Sequence, residues 1–233
     1  MPLLIHELFL DIQNPDRLYS TSYVAAIRYE LGGDHEYHFV EGCLPWPIAP
    51  EITSLVTSKE ETFAYYNPDS PETILKALDD LDRYIEDEGP FDGVLGFSQG
   101  AVLAASFGVR KYQQDPANQR INPILKCNIL ISAALPLSWQ DLLRGEVHYV
   151  TTKQSEEDPV NVPTVIIWGQ EDPHLPNFDA VILELRRSPN VVTCKHSGGH
   201  EVPSSTAMEA LAETVKMIKR TIDMARKRHV ISS

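Results

Sequence analysis

Asp92-Gly93-Val94-Leu95-Gly96-Phe97-Ser98-Gln99-Gly100-Ala101-Val102-Leu103-Ala104-Ala105-Ser106 is the stretch that decides the fold. Gly96-x-Ser98-x-Gly100 stands between an apolar run of strand character and an apolar run of helical character, the context of a nucleophile elbow. A serine hydroxyl is a weak nucleophile. The elbow holds it on a sharp turn where a base can reach it and where a helix N-terminus faces developing negative charge. Val94 and Leu95 read as the end of a buried strand, and Ala101 to Phe107 as a helix buried nearly all round. Small residues at 96 and 100 let the two backbones pass close together.

Outward from this segment the chain alternates. Strands are expected at Tyr37 to Glu41, Phe91 to Gly96, Cys127 to Ala133, Pro163 to Trp168 and Val191 to Lys195. Ser70-Pro71-Glu72 opens a helix with proline in its first turn, and Ile74, Leu78, Leu81 and Ile85 follow at helical spacing. Thr206 and Glu209 fit a capping box ahead of a long last helix whose buried face would carry Met208, Leu211, Val215, Ile218 and Ile222. Asn177 is a candidate cap for a helix with Val181, Ile182 and Leu185. Strands alternating with helices predict a mostly parallel sheet covered on both faces, the α/β-hydrolase arrangement, in a single domain over residues 1–233. Two stretches break the rhythm, a long loop over 42–69 and a segment at about 136–161 where a cap or lid is expected. Trp139, Leu142, Leu143, His148 and Tyr149 there either line an acyl pocket or form a satellite cluster that holds the insertion down.

In such a sheet the carboxylate and the base follow the serine in chain order, each on a loop at the carboxyl end of a strand. Gln170-Glu171-Asp172-Pro173 follows the expected strand ending at Gly169. Asp172 is favoured, because the proline fixes a turn while Glu171 can point to solvent. Among eight histidines, His200 is favoured over His196. It follows Ser197-Gly198-Gly199 in a loop where glycines release the backbone, whereas His196 closes a strand. His174 is too near Asp172 to face both it and Ser98. The backbone N–H of Gln99 is the expected first oxyanion donor, with the Gln99 side chain incidental. The chemistry expected is attack on an ester or thioester carbonyl, an acyl-enzyme and its hydrolysis.

A formal net charge of −13 disfavours nucleic acid and anionic membrane as partners. Three scattered cysteines, Cys43, Cys127 and Cys194, read as buried free thiols in a reducing compartment. No secretion signal or membrane span is legible, so a cytoplasmic location is expected. No zinc-protease, phosphate-loop or dinucleotide motif occurs, and neither metal nor cofactor is expected.

Gly-Phe-Ser98-Gln-Gly, Trp-Gly-x-x-Asp172 and Ser-Gly-Gly-His200 in register, with Ala26-Ile-Arg-Tyr-Glu-Leu and Phe39-Val-Glu-Gly-x-x-Pro-Trp-Pro, resemble the fungal serine hydrolase family over residues 24 to about 220. The resemblance implies an esterase or thioesterase, with many members encoded beside polyketide synthases, and hence an acyl ester or an acyl carrier protein thioester as substrate. It also implies a first strand ending in His-Gly, followed by a loop that supplies a second oxyanion donor. Here Leu3 to His6 reads as that strand, Glu7 stands in the glycine's place, and Leu8 to Pro15 resembles nothing in that loop. That implies either a misassigned start or splice, or a weakened oxyanion site. Two alternatives stay open: an impaired hydrolase fold serving as an accessory or binding protein, and a general carboxylesterase without a carrier partner. Arg186 and Arg187, or Lys216, Lys219, Arg220, Arg226, Lys227 and Arg228, are candidate contacts for an acidic carrier protein, against the reading that they are solvated charges near helix ends.

Overall fold

The computed structural model describes residues 5–11, 24–47, 62–150, 161–173 and 188–232. Six strands form one sheet in the order β2-β1-β5-β6-β7-β8, all neighbours parallel. They are β1 (Ile5–Asp11), β2 (His35–Glu41), β5 (Gly93–Phe97), β6 (Cys127–Ile131), β7 (Thr164–Gly169) and β8 (Val191–His196). Two residue pairs, β3 (Leu44–Pro45) and β4 (Phe63–Ala64), make a separate antiparallel ladder within the expected 42–69 loop.

β5, β6 and β7 are short apolar runs because both of their faces are covered, which removes the polar alternation of a half-exposed sheet. Their side chains divide by parity. Val94, Leu130, Ile166 and Trp168 join one core with helices α2 (Pro71–Glu88) and α3 (Gln99–Gln114). Leu95, Ile129, Ile131, Val165 and Ile167 join the other with α1 (Ala25–Leu31) and α6 (Met208–Ser232). Ser70 caps α2 by accepting the Thr73 N–H at 3.3 Å, with Pro71 in the first turn, as the sequence predicts. The short helix α4 (Pro116–Ile121) is capped by Asp115. After it, α5 (Trp139–Leu142) sits in a loop closed by Val150 N–H donating to Pro136 and by a bridge between Leu137 and Tyr149.

Several details differ from expectation. β1 runs from Ile5 to Asp11, seven residues instead of ending at His6, and Glu7 pairs with Gly93 at the amino end of β5. Leu10 is the residue level with Gly96, so Glu7 lies three residues, roughly 10 Å, back along the strand. It does not occupy the oxyanion glycine's place. Met208 is 72% exposed, and the Thr206 hydroxyl bonds Ser204 instead of capping α6, which begins two residues later. Cys127 and Cys194 are buried, but Cys43 is exposed. The Asn177 helix lies outside the described residues. Among the described residues no helix is long and apolar enough to cross a membrane.

From β1 the chain moves outward to β2, returns across β1 to β5, and then proceeds steadily to β8. The direction of winding reverses between β1 and β5, and in open α/β sheets a crevice opens at that point beyond the carboxyl ends of the strands. At this crevice Gly96 is tightly constrained, since a Cβ there would lie 2.6 Å from the Ala101 Cα. Gly96→Ala should lower stability by about 3 kcal/mol, the upper range for overpacking. The expected readout is a lower urea midpoint at unchanged m-value.

Candidate active site

The elbow is built by continuing one strand ladder and then breaking it. The Ser98 N–H donates to Ile131 O at 2.9 Å, prolonging the β5–β6 pairing by a residue. The backbone then turns through φ 52° and ψ −119°, and Ser98 O accepts the Val102 N–H at 3.1 Å to start α3. A non-glycine residue in this region carries about 1–3 kcal/mol of strain. Ser132, at the end of the adjacent β6, also has a positive φ of 50°. These two are the only non-glycine residues with positive φ among the described residues, and each directly follows the carboxyl end of its strand.

The structure brings Ser98, His200 and Asp172 together. His200 Nε2 lies 2.9 Å from Ser98 Oγ, and His200 Nδ1 lies 2.8 Å from Asp172 Oδ2. The carboxylate accepts only, so Nδ1 carries the proton and the Nε2 lone pair faces the serine hydroxyl. Asp172's side chain is 1% exposed and His200's 15%, so the carboxylate is shielded while the imidazole stays reachable from the crevice. The His200 ring also packs on Phe97, centroids 5.2 Å apart. Glu171 is exposed, as its solvent-facing assignment requires.

Gly169 sets the relation between the loops that carry Asp172 and His200. A Cβ on it would lie 2.1 Å from Gly199 O and 2.3 Å from Gly198 O, so the His200 loop rests directly on the end of β7. Gln170 N–H donates to His196 O at 2.7 Å, and Glu171 N–H to Gly198 O at 3.0 Å. Neither Gly198 nor Gly199 has a positive φ. Gly169 beneath the loop is therefore required by backbone packing, and within the loop Gly198 is crowded by side chains, since a Cβ there would lie 2.1 Å from Glu201 Oε1 and 3.0 Å from His196 Nδ1.

His196 is structural. It is 6% exposed, and its Nδ1 accepts the Gly198 N–H at 3.1 Å. Burial pushes its pKa below the ordinary value, with Glu201 and Asp172 pulling weakly the other way.

Gln99 is the first helical residue of α3, so its backbone N–H has no acceptor inside the helix and is free to meet an anion. Its side chain is engaged, contrary to expectation. Oε1 accepts the Tyr65 N–H at 2.9 Å, and Nε2 donates to Tyr66 O at 3.0 Å. Nothing local in the sequence signals this pairing, which joins residues 33 and 34 positions apart. Tyr66 is buried, and desolvation, reinforced by the nearby Tyr149 phenol, pushes its pKa upward. Leu142 belongs to the α2/α3 core, and Trp139 packs against Arg110, whose Cζ is 6.0 Å from the indole centroid. Leu143 is 60% exposed, and His148 lies beside Asp141 and Glu146.

The cations of α6 lie elsewhere. Lys219 bonds Glu30 O just before β2 begins, and Arg228 bonds Asn161 O just before β7 begins, placing them toward the amino ends of the strands. A surface groove of about 590 Å³ lined by Glu30, Lys219, Asp223 and Lys227 is on that side too. Arg186 and Arg187 are outside the described residues.

A parallel sheet of this order, a strained serine at its switch point and a histidine between serine and carboxylate define the protein as a serine hydrolase of the α/β-hydrolase class. The chain belongs to the family described as serine hydrolase (FSH1), whose sequence profile matches residues 17–211. It is 36% identical over 203 residues to esterase FPY3 of Fusarium mangiferae, covering 86% of this chain and 89% of that protein. With esterase OVCA2 of Mus musculus it shares 29% identity over 163 residues, 70% of this chain and 62% of that one. In fold it is similar to a crystal structure of a carboxylesterase from Mesorhizobium loti, with a TM-score of 0.60 at 15% identity over 92% of this chain and 88% of that one.

The His196 environment yields a signed pH dependence. The fold favours the neutral ring and the unfolded chain does not, so protonation of the unfolded state costs stability as pH falls below the ordinary histidine value of 6.5. His196→Asn retains an acceptor for the Gly198 N–H but does not titrate. Its urea midpoint should fall less than the wild type's between about pH 7.5 and about pH 5.5.

Proposed function

We propose that Ser98 is the nucleophile, His200 the general base and Asp172 the residue that fixes the imidazole tautomer, in the hydrolysis of an acyl ester or thioester. The observation that carries this reading is the continuous hydrogen-bonded line from Asp172 Oδ2 through His200 to Ser98 Oγ, at 2.8 and 2.9 Å. As Oγ attacks the acyl carbonyl, its proton passes to His200 Nε2. The imidazolium is stabilised by Asp172, and the carbonyl oxygen becomes an oxyanion facing the Gln99 N–H. Collapse expels an alkoxide or thiolate, which takes the proton from Nε2 and leaves an ester on Ser98. Water, deprotonated by His200, then attacks that ester, and departure of Oγ with the same proton releases the acid. No metal or cofactor is required for any step.

The finer reading, on which the family resemblance bears, is release of an acyl chain in fungal polyketide biosynthesis by a cytoplasmic enzyme, with an acyl carrier protein as the thioester donor. The α6 cations are poorly placed for such a donor, because they face the end of the sheet opposite Ser98. A carrier would have to approach over the crevice itself. The accessory-protein alternative draws on the atypical N-terminus; the register of β1 sets the Glu7 backbone three residues back from the level of Gly96, which weakens the part of that argument that rests on Glu7.

A fluorophosphonate probe should label the wild type and leave Ser98→Ala unlabelled. Asp172→Asn should retain the fold while kcat falls about 10⁴-fold, as expected when the base is held in the wrong tautomer. A folded wild type that takes no label, or label persisting in Ser98→Ala, would overturn the reading. Rates on simple aryl esters against acyl-pantetheine thioesters separate the general carboxylesterase from the carrier-linked enzyme.

A further inference from the structure

We propose that the Gln99 carboxamide is a positioning residue for acyl transfer: it clamps the 65–66 backbone across the crevice and thereby fixes the direction of its own backbone N–H. This rests on the hydrolytic reading of Ser98. The clamp has two points, Oε1 to the Tyr65 N–H at 2.9 Å and Nε2 to Tyr66 O at 3.0 Å, and so satisfies both ends of the amide. A side chain held at one point can still swing about it, whereas two consecutive backbone partners fix its plane.

The clamped segment is itself anchored on the far side of β1. The Tyr65 hydroxyl donates to Val40 O in β2 at 2.5 Å. β2 and β5 flank β1 on opposite sides, so Tyr65 crosses the carboxyl end of β1, a span of two inter-strand spacings or about 10 Å. Gly42 presses on the same segment, since a Cβ there would lie 2.4 Å from the Ala64 carbonyl carbon. Ala64 and Tyr66 are buried. Residues 64–66 therefore form a fixed wall on the β1 side of the crevice, and Gln99 ties the elbow to that wall.

The consequence falls on the peptide between Ser98 and Gln99. Its N–H is the proposed oxyanion donor, and its orientation is set by the strained Ser98 dihedrals, φ 52° and ψ −119°. Strain of this kind relaxes by rotating the neighbouring peptide planes unless the surroundings hold them. The Gln99 clamp supplies that hold at the residue whose N–H must not rotate. Because the developing oxyanion uses this donor more than the ground-state carbonyl does, loosening it acts on the transition state more than on substrate binding.

Gln99→Met keeps the side-chain length and removes both hydrogen bonds. On a p-nitrophenyl ester its kcat should fall about ten- to a hundredfold, less than the loss of a donor outright, with KM within about twofold when rates are normalised to fluorophosphonate-titrated sites. The Ki for an alkyl trifluoromethyl ketone, whose hemiketal carries an oxyanion, should rise by a similar factor. Tyr65→Phe releases the distant Val40 anchor and leaves the Gln99 amide untouched, and should shift kcat and Ki in the same direction by a smaller factor, which keeps the test available if Gln99→Met does not fold. If titrated Gln99→Met or Tyr65→Phe enzyme matches the wild type in kcat and Ki, or if KM rises as much as kcat falls, the positioning role is overturned while the hydrolytic reading stands. A wild type that neither labels nor hydrolyses overturns both.

Discussion

Two backbones cross at Gly169 with no room between them, and the geometry of the site depends on that crossing. The end of β7 carries Asp172 and the loop after β8 carries His200. The approach of Gly198 and Gly199 carbonyls to Gly169 places the two side chains within a hydrogen bond of each other. The parallel register brings Gly169 level with His196 before the loops begin, and two further backbone hydrogen bonds extend the pairing past the strands. A carboxylate with a 1% exposed side chain is costly to bury unless it is paired. The His200 Nδ1–H offsets that cost and is held in its tautomer in return.

Much of this was legible from residue type and order. Buried parallel strands announce themselves as short apolar runs, and those expected around Leu95, Ile129, Ile166 and Cys194 appear within a residue or two of their expected bounds. Ser98, Asp172 and His200 could be chosen because each stands just beyond such a run, where a parallel sheet gathers its loops. The histidine loop depends on more than its own glycines. The backbone-limited position is Gly169 beneath it, which the sequence carries in Trp-Gly-x-x-Asp172 but whose partners, the Gly198 and Gly199 carbonyls, come from a loop some thirty residues on.

The N-terminal strand shows where local reading fails. Ile5-His-Glu-Leu-Phe-Leu-Asp11 mixes polar and apolar residues, and its boundary was placed by likeness to a motif instead of by pairing. Only the register, with Leu10 level with Gly96, shows that the chain is still in the sheet at Asp11. The same limit applies to Gln99. Its neighbours in sequence make it look like a helix-start residue, and its side-chain partners come from a segment more than thirty residues upstream.

Two kinds of support meet at Ser98. On the β6 side the strained turns are held by backbone ladders: Ser98 N–H bonds Ile131 O, and Ser132 N–H bonds Ile167 O, each continuing a strand pairing by one residue. Ladder bonds of this kind are fixed by the register of the whole sheet and change only if the sheet does. On the β1 side, among the described residues, the elbow is joined to the 64–66 wall through side chains, the Gln99 amide at one end and the Tyr65 hydroxyl at the other. The crevice thus has one face set by the ladder of the sheet and one set by side-chain hydrogen bonds, and the two meet at the elbow. On the proposed reading, a substitution on the side-chain face reaches the elbow through the Gln99 amide, so what lines the crevice and how the N–H after Ser98 is aimed are not independent.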